Sequence, residues 1–321
     1  MKAVMFPFRR DDAVVELARD FPELQWAVVS SIEELGRKIG DAEILVTSNR
    51  ACTPAYGEAL RRNARRLRWI HFSSSGIERG VAMGIPEGAR VTNSTGVKAT
   101  MVAEHALALL LALLRQLPEI ELHQRAHRYT REETNAKLRT LEDATVCVIG
   151  RGAIGREVVR RLKAFDAHPI AVSRTTSEPG ELEAVYPRER ISEALARADA
   201  VIICTAGDQT SRHLIGAAEL AAMKSSALIV NVARGEIIDE AALVAALRGN
   251  RLAGAGLDVY EFEPLPAGSP LWDMPNVIVS PHIAGGGSSG YFLHKKLFME
   301  NLARLRSGRA LINECKVPAK A

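Results

Sequence analysis

Along the first hundred residues, unbroken apolar runs alternate with stretches in which apolar positions recur every three or four residues. The runs stand at 2–6, 26–29, 44–47 and 69–72, and the helical patterns at 12–20, 32–39 and 58–66. Runs of Val, Ile and Leu without polar alternation are what strands buried on both faces require, so the rhythm predicts a parallel sheet covered by helices. Residues 100–117 are apolar on nearly every side (Met101, Val102, Leu107, Leu109, Leu110, Leu113, Leu114), and a helix of that kind must be covered all round. A second, more regular alternation begins at residue 145. Its strand candidates are 145–149, 170–173, 200–205, 228–232, 253–259 and 277–280, the count of a doubly wound sheet. The last stretch, 291–306, reads as an amphipathic helix through Phe292, Leu293, Leu297, Phe298, Leu302 and Leu305. With the second sheet already complete, this helix is expected to cross back to the first domain.

Length agrees with this division, since 321 residues exceed one comfortable core and predict two domains with a cleft between them. Hydrophobic residues at 47% and charged residues at 25% exclude a disordered or low-complexity chain. Lys and Arg number 42 against 38 Asp and Glu, and the resulting +4 is too small to argue for a nucleic-acid partner. The basic stretch Arg61, Arg62, Arg65, Arg66 and Arg68, interleaved with Leu60 and Leu67, reads as a solvated helix face. Cys52, Cys147, Cys204 and Cys315 are scattered, without C-x-x-C pairs or clustered histidines, which predicts reduced thiols in a cytoplasm and no metal site. Met1 to Phe6 lead at once into Arg9, Arg10, Asp11 and Asp12, which is not a signal-peptide layout. The apolar run 106–114, bracketed by Glu104 and Arg115, is shorter than the roughly 18 residues of a membrane span. No membrane partner is expected. Gly285, Gly286, Gly287 and Gly290 with Ser288 and Ser289 are read as a crossover near a hinge.

Gly150-Arg151-Gly152-Ala153-Ile154-Gly155 follows an apolar strand and opens an amphipathic helix carrying Ile154, Val158, Val159, Leu162 and Phe165 on one face. In that context G-x-G-x-x-G is a dinucleotide-binding signature: glycine permits the turn, lets backbone approach a pyrophosphate, and brings helix against strand. About 20 residues later an acidic residue would hold the ribose 2′-hydroxyl of NAD. Here the strand ends instead in Ser173-Arg174-Thr175. Arg174 suits a 2′-phosphate or lies flat on adenine, so NADP is favoured over NAD.

Polar groups beyond the C-terminal ends of such strands face the ligand. Three places qualify: Asn231-Val232-Ala233-Arg234-Gly235, Asp258 through Pro264, and Ser280-Pro281-His282. Hydride transfer to a 2-keto acid requires a cation for the carboxylate and carbonyl, and a proton donor for the developing alkoxide. Arg234 and His282 fit these roles, and Glu263 is the carboxylate that would fix the histidine's tautomer and favour its charged form.

With these motifs in place the chain resembles the D-2-hydroxyacid dehydrogenase family over nearly its whole length, supported also by Ala103-Glu104-His105. The resemblance implies an α/β fold of two Rossmann-like, doubly wound parallel-sheet domains. A flavodoxin-like substrate domain, 1–98 plus 288–321, holds an inserted NAD(P)-binding Rossmann domain, 99–287, and the protein is a homodimer through the cofactor domains. It implies Arg234 as substrate anchor, His282 as acid/base with Glu263 as its partner, and Asp258 near the nicotinamide amide. Ser75 and Gly76, in Ser73-Ser74-Ser75-Gly76-Ile77, look like the loop whose N–H groups grip the substrate carboxylate. Thr205, Val232 and Ala233 join Gly150, Gly152, Ala153, Ile154, Gly155 and Arg174 as expected cofactor contacts. Two departures stand out: Thr205-Ala206-Gly207-Asp208 lies where many relatives carry a proline-containing segment, and Glu78 where aspartate is common. The activity implied is reversible hydride transfer between NAD(P)H and a 2-keto acid, glyoxylate or hydroxypyruvate among the candidates. The alternative is a dinucleotide-sensing co-regulator on the same fold, disfavoured by the lack of long partner-binding tails.

Overall fold

The computed structural model describes residues 1–7, 13–175, 180–205, 210–286, 289–315 and 317. Residues 9–12, 206–208, 287 and 288, which belong to the charged segment and helical pattern after the first strand, the Thr205–Asp208 departure and the glycine-rich crossover read from the sequence, lie outside them. The chain divides into two compact units, Met1–Lys98 with Gly287–Ala321, and Ala99–Gly286.

In the first unit β1 (Lys2–Phe6), α1 (Leu17–Asp20), β2 (Gln25–Val28), α2 (Ile32–Lys38), β3 (Ile44–Thr47), α3 (Pro54–Asn63), β4 (Trp69–Phe72), α4 (Glu78–Met83) and β5 (Arg90–Thr92) follow one another. The strands form one parallel sheet ordered β2-β1-β3-β4-β5, the flavodoxin order. Helix α3 begins four residues before its apolar periodicity does. The Thr53 hydroxyl accepts the Tyr56 N–H and Pro54 opens the first turn, so the cap sets the start. Strand β5, with three residues, is too short for a sequence pattern; it exists because its edge pairs with β4.

The second unit runs α5 (Ala99–Leu114), α6 (Leu117–Arg125), α7 (Arg131–Asn135), β6 (Thr145–Ile149), α8 (Ala153–Lys163), β7 (His168–Val172), β8 (Ala184–Tyr186), α9 (Ile191–Arg197), β9 (Ala200–Ile203), α10 (Ala217–Ala222), β10 (Leu228–Asn231), α11 (Glu240–Arg248), β11 (Gly254–Leu257) and β12 (Val277–Val279). All strands are parallel in the order β12-β11-β10-β9-β6-β7-β8, which is the Rossmann order extended by one strand. The six strands expected become seven because the three-residue β8 adds to the edge beside β7. The single helix expected over 100–117 is two. Gln116 takes a left-handed φ of 55° and Pro118 restarts the chain as α6. Leu107, Leu109, Leu110 and Leu113 of α5 pack with Val148, Val158 and Val230, which explains a helix apolar on nearly every side.

The chain then returns to the first unit as α12 (Ser289–Arg306). Phe298, Leu302 and Leu305 join Met5, Ile44 and Trp69 in its core, with the Phe298 and Trp69 rings stacked 5.0 Å apart. Cys52, Cys147 and Cys204 are buried free thiols. Among the described residues no single helix is long and apolar enough to cross a membrane, and no His, Cys, Asp or Glu group could hold a metal ion.

Candidate active site

Strand β6 runs into Gly150, whose φ of 114° belongs to the region open to glycine, and Gly152 caps α8. A Cβ on Gly150 would stand 2.9 Å from the backbone N of Thr205, and one on Gly155 would stand 1.9 Å from the carbonyl oxygen of Gly150. Both glycines are therefore dictated by close approach, of β6 to the end of β9 and of α8 to its own entry turn. This is where the sheet order reverses, the crevice that admits ligands in such sheets. The first turn of α8, Ala153 and Ile154 included, has no side-chain cap, so its N–H groups are available to an anion.

A hollow of about 280 Å³ opens beside this turn, lined by Gly150, Gly152 and Thr205 together with Arg151, Arg174 and Arg188, with no carboxylate among the described residues that line it. Arg188 is oriented by donating to the carbonyl and hydroxyl of Thr210 at 2.7 and 2.9 Å. A glycine turn at a helix N-terminus beside three guanidinium groups fits a dinucleotide. A second hollow of about 530 Å³, between Arg160, Lys163, Glu181 and Glu183, is wide open to solvent and touches none of these groups. Val232 and Ala233 are buried at the end of β10, and the Ala233 N–H donates to the Asn231 amide oxygen at 3.1 Å. Burial pushes the Cys204 thiol up to about 12, which leaves it without nucleophilic character.

Beyond β10, the Asn231 amide donates to the Arg234 carbonyl at 2.9 Å and folds the turn that presents Arg234. One guanidinium nitrogen donates to Ala233 O at 2.7 Å; the rest of the fork meets no acceptor among the described residues. Gly235 then passes against the loop after β11 so closely that a Cβ would lie 1.8 Å from the carbonyl carbon of Tyr260. Gly235→Ala should therefore push the Arg234 turn from the Glu263 loop, costing roughly 1–3 kcal/mol of stability and most of the turnover. Thermal unfolding and kcat measured together check this, and a variant normal in both would refute the packing argument.

Glu263 and His282 come together after β11 and β12. The imidazole Nδ1 lies 2.6 Å from Glu263 Oε2, while Glu263 Oε1 accepts the Tyr260 N–H at 3.2 Å. A carboxylate at Nδ1 fixes the tautomer that donates there and leaves Nε2 as the outward nitrogen, which has no partner among the described residues. Both side chains are about one third exposed.

Asp258 sits beneath this pair, fully buried. Its Oδ1 accepts the Ser280 hydroxyl at 2.5 Å and the Ile283 N–H at 2.9 Å, and its Oδ2 accepts the Ala284 N–H at 2.8 Å. His105 Nε2, from α5, stands 2.9 Å from Ser280 Oγ and 3.4 Å from Asp258 Oδ1. The Tyr260 hydroxyl accepts the Ser280 N–H at 3.0 Å within reach of the Leu257 and Ser280 carbonyls. Burial holds that phenol well above its ordinary pKa, so it stays a neutral donor. Ser280 and Tyr260 lie in segments that the sequence pointed to, but no role was read for either, and the placement of His105 was signalled only by the Ala103-Glu104-His105 motif.

In the first unit, the loop 73–77 turns its carbonyls into the protein. Ser94 N–H, the Asn93 amide and the Ser74 hydroxyl donate to the carbonyls of Ser74, Ser75 and Gly76, respectively. The N–H groups of Ser75 and Gly76 meet no acceptor among the described residues, an arrangement suited to a carboxylate. The Asn49 amide holds the neighbouring Glu78 carboxylate at 3.1 Å.

Residues 107–284 match the family model described as D-isomer specific 2-hydroxyacid dehydrogenase, NAD binding domain. The chain is 32% identical over 297 residues to a glyoxylate reductase of Thermococcus gammatolerans, covering 90% of this chain and 88% of that one. It is 28% identical over 320 residues to a D-3-phosphoglycerate dehydrogenase of Archaeoglobus fulgidus, covering 99% of this chain but only 60% of that longer relative. Among solved structures it is similar to a D-isomer specific 2-hydroxyacid dehydrogenase family protein of Aeromonas salmonicida, with TM-score 0.82, 28% identity and 99% of each chain covered. It is also similar to a D-isomer specific 2-hydroxyacid dehydrogenase of Xanthobacter autotrophicus solved with NADPH and MES, with TM-score 0.78, 27% identity and 98% of each covered.

Proposed function

Because the chain belongs to the D-isomer specific 2-hydroxyacid dehydrogenase family, we infer that it reduces glyoxylate or hydroxypyruvate, prefers NADPH to NADH, and acts through Arg234, Glu263 and His282. It is an oxidoreductase working between NAD(P)H and a 2-keto acid or D-2-hydroxy acid. The dinucleotide, when bound, supplies or takes up the hydride. Its pyrophosphate would be held by the turn from Gly150 to Gly155 and the first turn of α8, and its adenosine end by Arg174 beside Ser173.

The 2.6 Å contact between His282 Nδ1 and Glu263 carries this reading. A carboxylate at Nδ1 stabilises the imidazolium, so Nε2 can donate a proton to the carbonyl oxygen as it becomes an alkoxide, and can take the proton back in the oxidative direction. Arg234 offers its open fork to the substrate carboxylate and carbonyl, where a planar guanidinium makes two contacts at once. The match to a glyoxylate reductase over most of its length supports a small substrate. The protein works in the cytoplasm as a homodimer; support for the dimer comes from α6, which buries none of its side chains and leaves Leu117, Ile120 and Leu122 exposed.

Steady-state assays of several 2-keto acids with each cofactor test this reading. A charge-assisted contact from Arg174 to a 2′-phosphate is worth about 1.5–3 kcal/mol, so kcat/KM should favour NADPH by roughly ten- to a hundredfold. Arg174→Ala should remove most of that preference while sparing NADH. Equal losses with both cofactors, or a wild type that favours NADH, would show that Arg174 only stacks on adenine.

A further inference from the structure

We propose that His213 is a positioning residue for Glu263, acting through the Glu261 carboxylate and the loop that the two glutamates share. The proposal rests on the reading of Glu263 as partner of the acid/base. After β11 the loop from Tyr260 to Pro264 carries Glu263 to within 2.6 Å of His282 Nδ1. Its outer side chains do little to hold it there, since Phe262 is 70% exposed and Glu263 meets only the Tyr260 N–H and His282 among the described residues. The loop is pinned at Glu261. The Glu261 N–H donates to Glu240 Oε2 at 3.2 Å, and its own Oε1 lies 2.5 Å from His213 Nε2, which a carboxylate at that place makes the donor.

Both pins stand on one piece of the fold. The segment 213–215 pairs with the chain that leaves the Arg234 turn: the His213 N–H donates to the Glu236 carbonyl at 2.8 Å, the Ile215 N–H to Ile237 at 3.0 Å, and the Asp239 N–H back to Ile215 at 3.0 Å. Ile215 and Ile237 are fully buried, and Asp239 caps α11, whose first residue is Glu240. His213 itself holds a φ of 48°, the left-handed region that a residue with a Cβ occupies only where its surroundings impose it. Its backbone is thus tied to the turn that presents Arg234 and its side chain to the loop that presents Glu263. The Glu261 carboxylate is only 20% exposed, with the like charge of Glu240 near it. Without the imidazole it has no side-chain donor among the described residues, so the loop turns it toward water and draws Glu263 away from His282.

A double-mutant cycle tests the proposal, with glyoxylate or hydroxypyruvate, whichever wild type reduces faster, and the better of NADPH and NADH. His213→Ala should lower kcat about tenfold, part of the roughly hundredfold that misplacing a reacting group can cost. The Kd for the cofactor, read by its fluorescence, should stay within about twofold. His213→Gln keeps a donor at similar reach and should recover about half of the wild-type kcat or more. In a Glu263→Ala background His213→Ala should change kcat less than about twofold, because a residue that acts only through Glu263 has nothing left to position. Hydrogen exchange of the Tyr260 and Glu261 amides should quicken in His213→Ala and return to the wild-type rate in His213→Gln. Glu261→Ala should match His213→Ala, and carries the test if that variant does not fold. Unchanged kcat in His213→Ala, losses that multiply in the two backgrounds, or a tenfold weaker cofactor Kd would overturn the proposal. Wild-type turnover in Glu263→Ala alone would instead overturn the reading of the catalytic pair beneath it.

Discussion

Replacing His282 with alanine should lower turnover by roughly 10²–10⁴-fold, the range for a general acid–base group, while leaving dinucleotide affinity unchanged. The separation follows from position. His282 stands after β12, on the far side of the sheet order from the Gly150 turn after β6, so its removal takes away a proton donor and no part of the phosphate cradle. Glu263→Gln should also lower turnover, by less than His282→Ala, because the amide can still accept from Nδ1–H at the 2.6 Å contact but lacks the carboxylate's charge. Wild-type turnover in His282→Ala, or unchanged turnover in Glu263→Gln, would remove the pair from the chemistry.

Acid should destabilise the first unit well above the pH at which carboxylates titrate. His71 is wholly buried on β4, and burial, with the nearby His294 adding repulsion, pulls its pKa down to about 3. His294 on α12 is pulled down to about 4, again by burial and then by the charge of Lys98. Both rings are neutral in the fold and hydrogen-bonded as such, His71 Nδ1 to Thr92 Oγ1 at 2.9 Å and His294 Nδ1 to Ser94 Oγ at 3.2 Å. The unfolded chain protonates the same histidines near 6.5. From pH 6.5 downward the unfolded state thus binds more protons than the folded one. Stability is complete above 6.5 and falls with pH until the folded values near 4 and 3 are reached, by up to about 1.4 kcal/mol per pH unit for each ring. Asp20, held at about 2 chiefly by hydrogen bonds from Tyr291 and Lys295, loses its contribution only at lower pH, so the two effects separate. Urea unfolding at pH 7 and pH 5, followed by the fluorescence of Trp26 and Trp69, measures the slope. Equal midpoints would refute the argument, and His294→Gln should flatten the dependence if it holds.

Most of the framework of both units was legible along the chain, and the reasons are local. Runs such as Leu228–Asn231 are apolar without alternation because each faces helices on both sides, and that requirement is written into consecutive residues. Gly150 and Gly155 were legible because turn geometry and close approach exclude a side chain there, as the contact a Cβ on Gly150 would make with Thr205 illustrates, whereas Gly152 faces open space. Arg234, Glu263 and His282 could be picked out because they follow predicted strands at the end where such sheets bind ligands. Strands β5 and β8 were missed because Arg90-Val91-Thr92 and Ala184-Val185-Tyr186, unlike the equally short Val277-Ile278-Val279, are not unbroken runs of Val, Ile and Leu. Their strand character is conferred by the neighbours they pair with.

The sequence by itself determined the parallel sheets, the glycine turn and the residue types available for chemistry, because each depends on interactions within a few positions of the chain. Tertiary structure alone decided which of those residues meet. The three donors to Asp258 come from positions 280, 283 and 284, brought to it by the register of β11 against β12. His105 reaches Ser280 only because α5 lies along the same sheet. His71 and His294 are unremarkable in sequence and become titration-sensitive only when α12 buries both against Phe298 and Ser94. Burial and distance set the energy of a polar side chain, and both are properties of the packed fold that no local pattern contains.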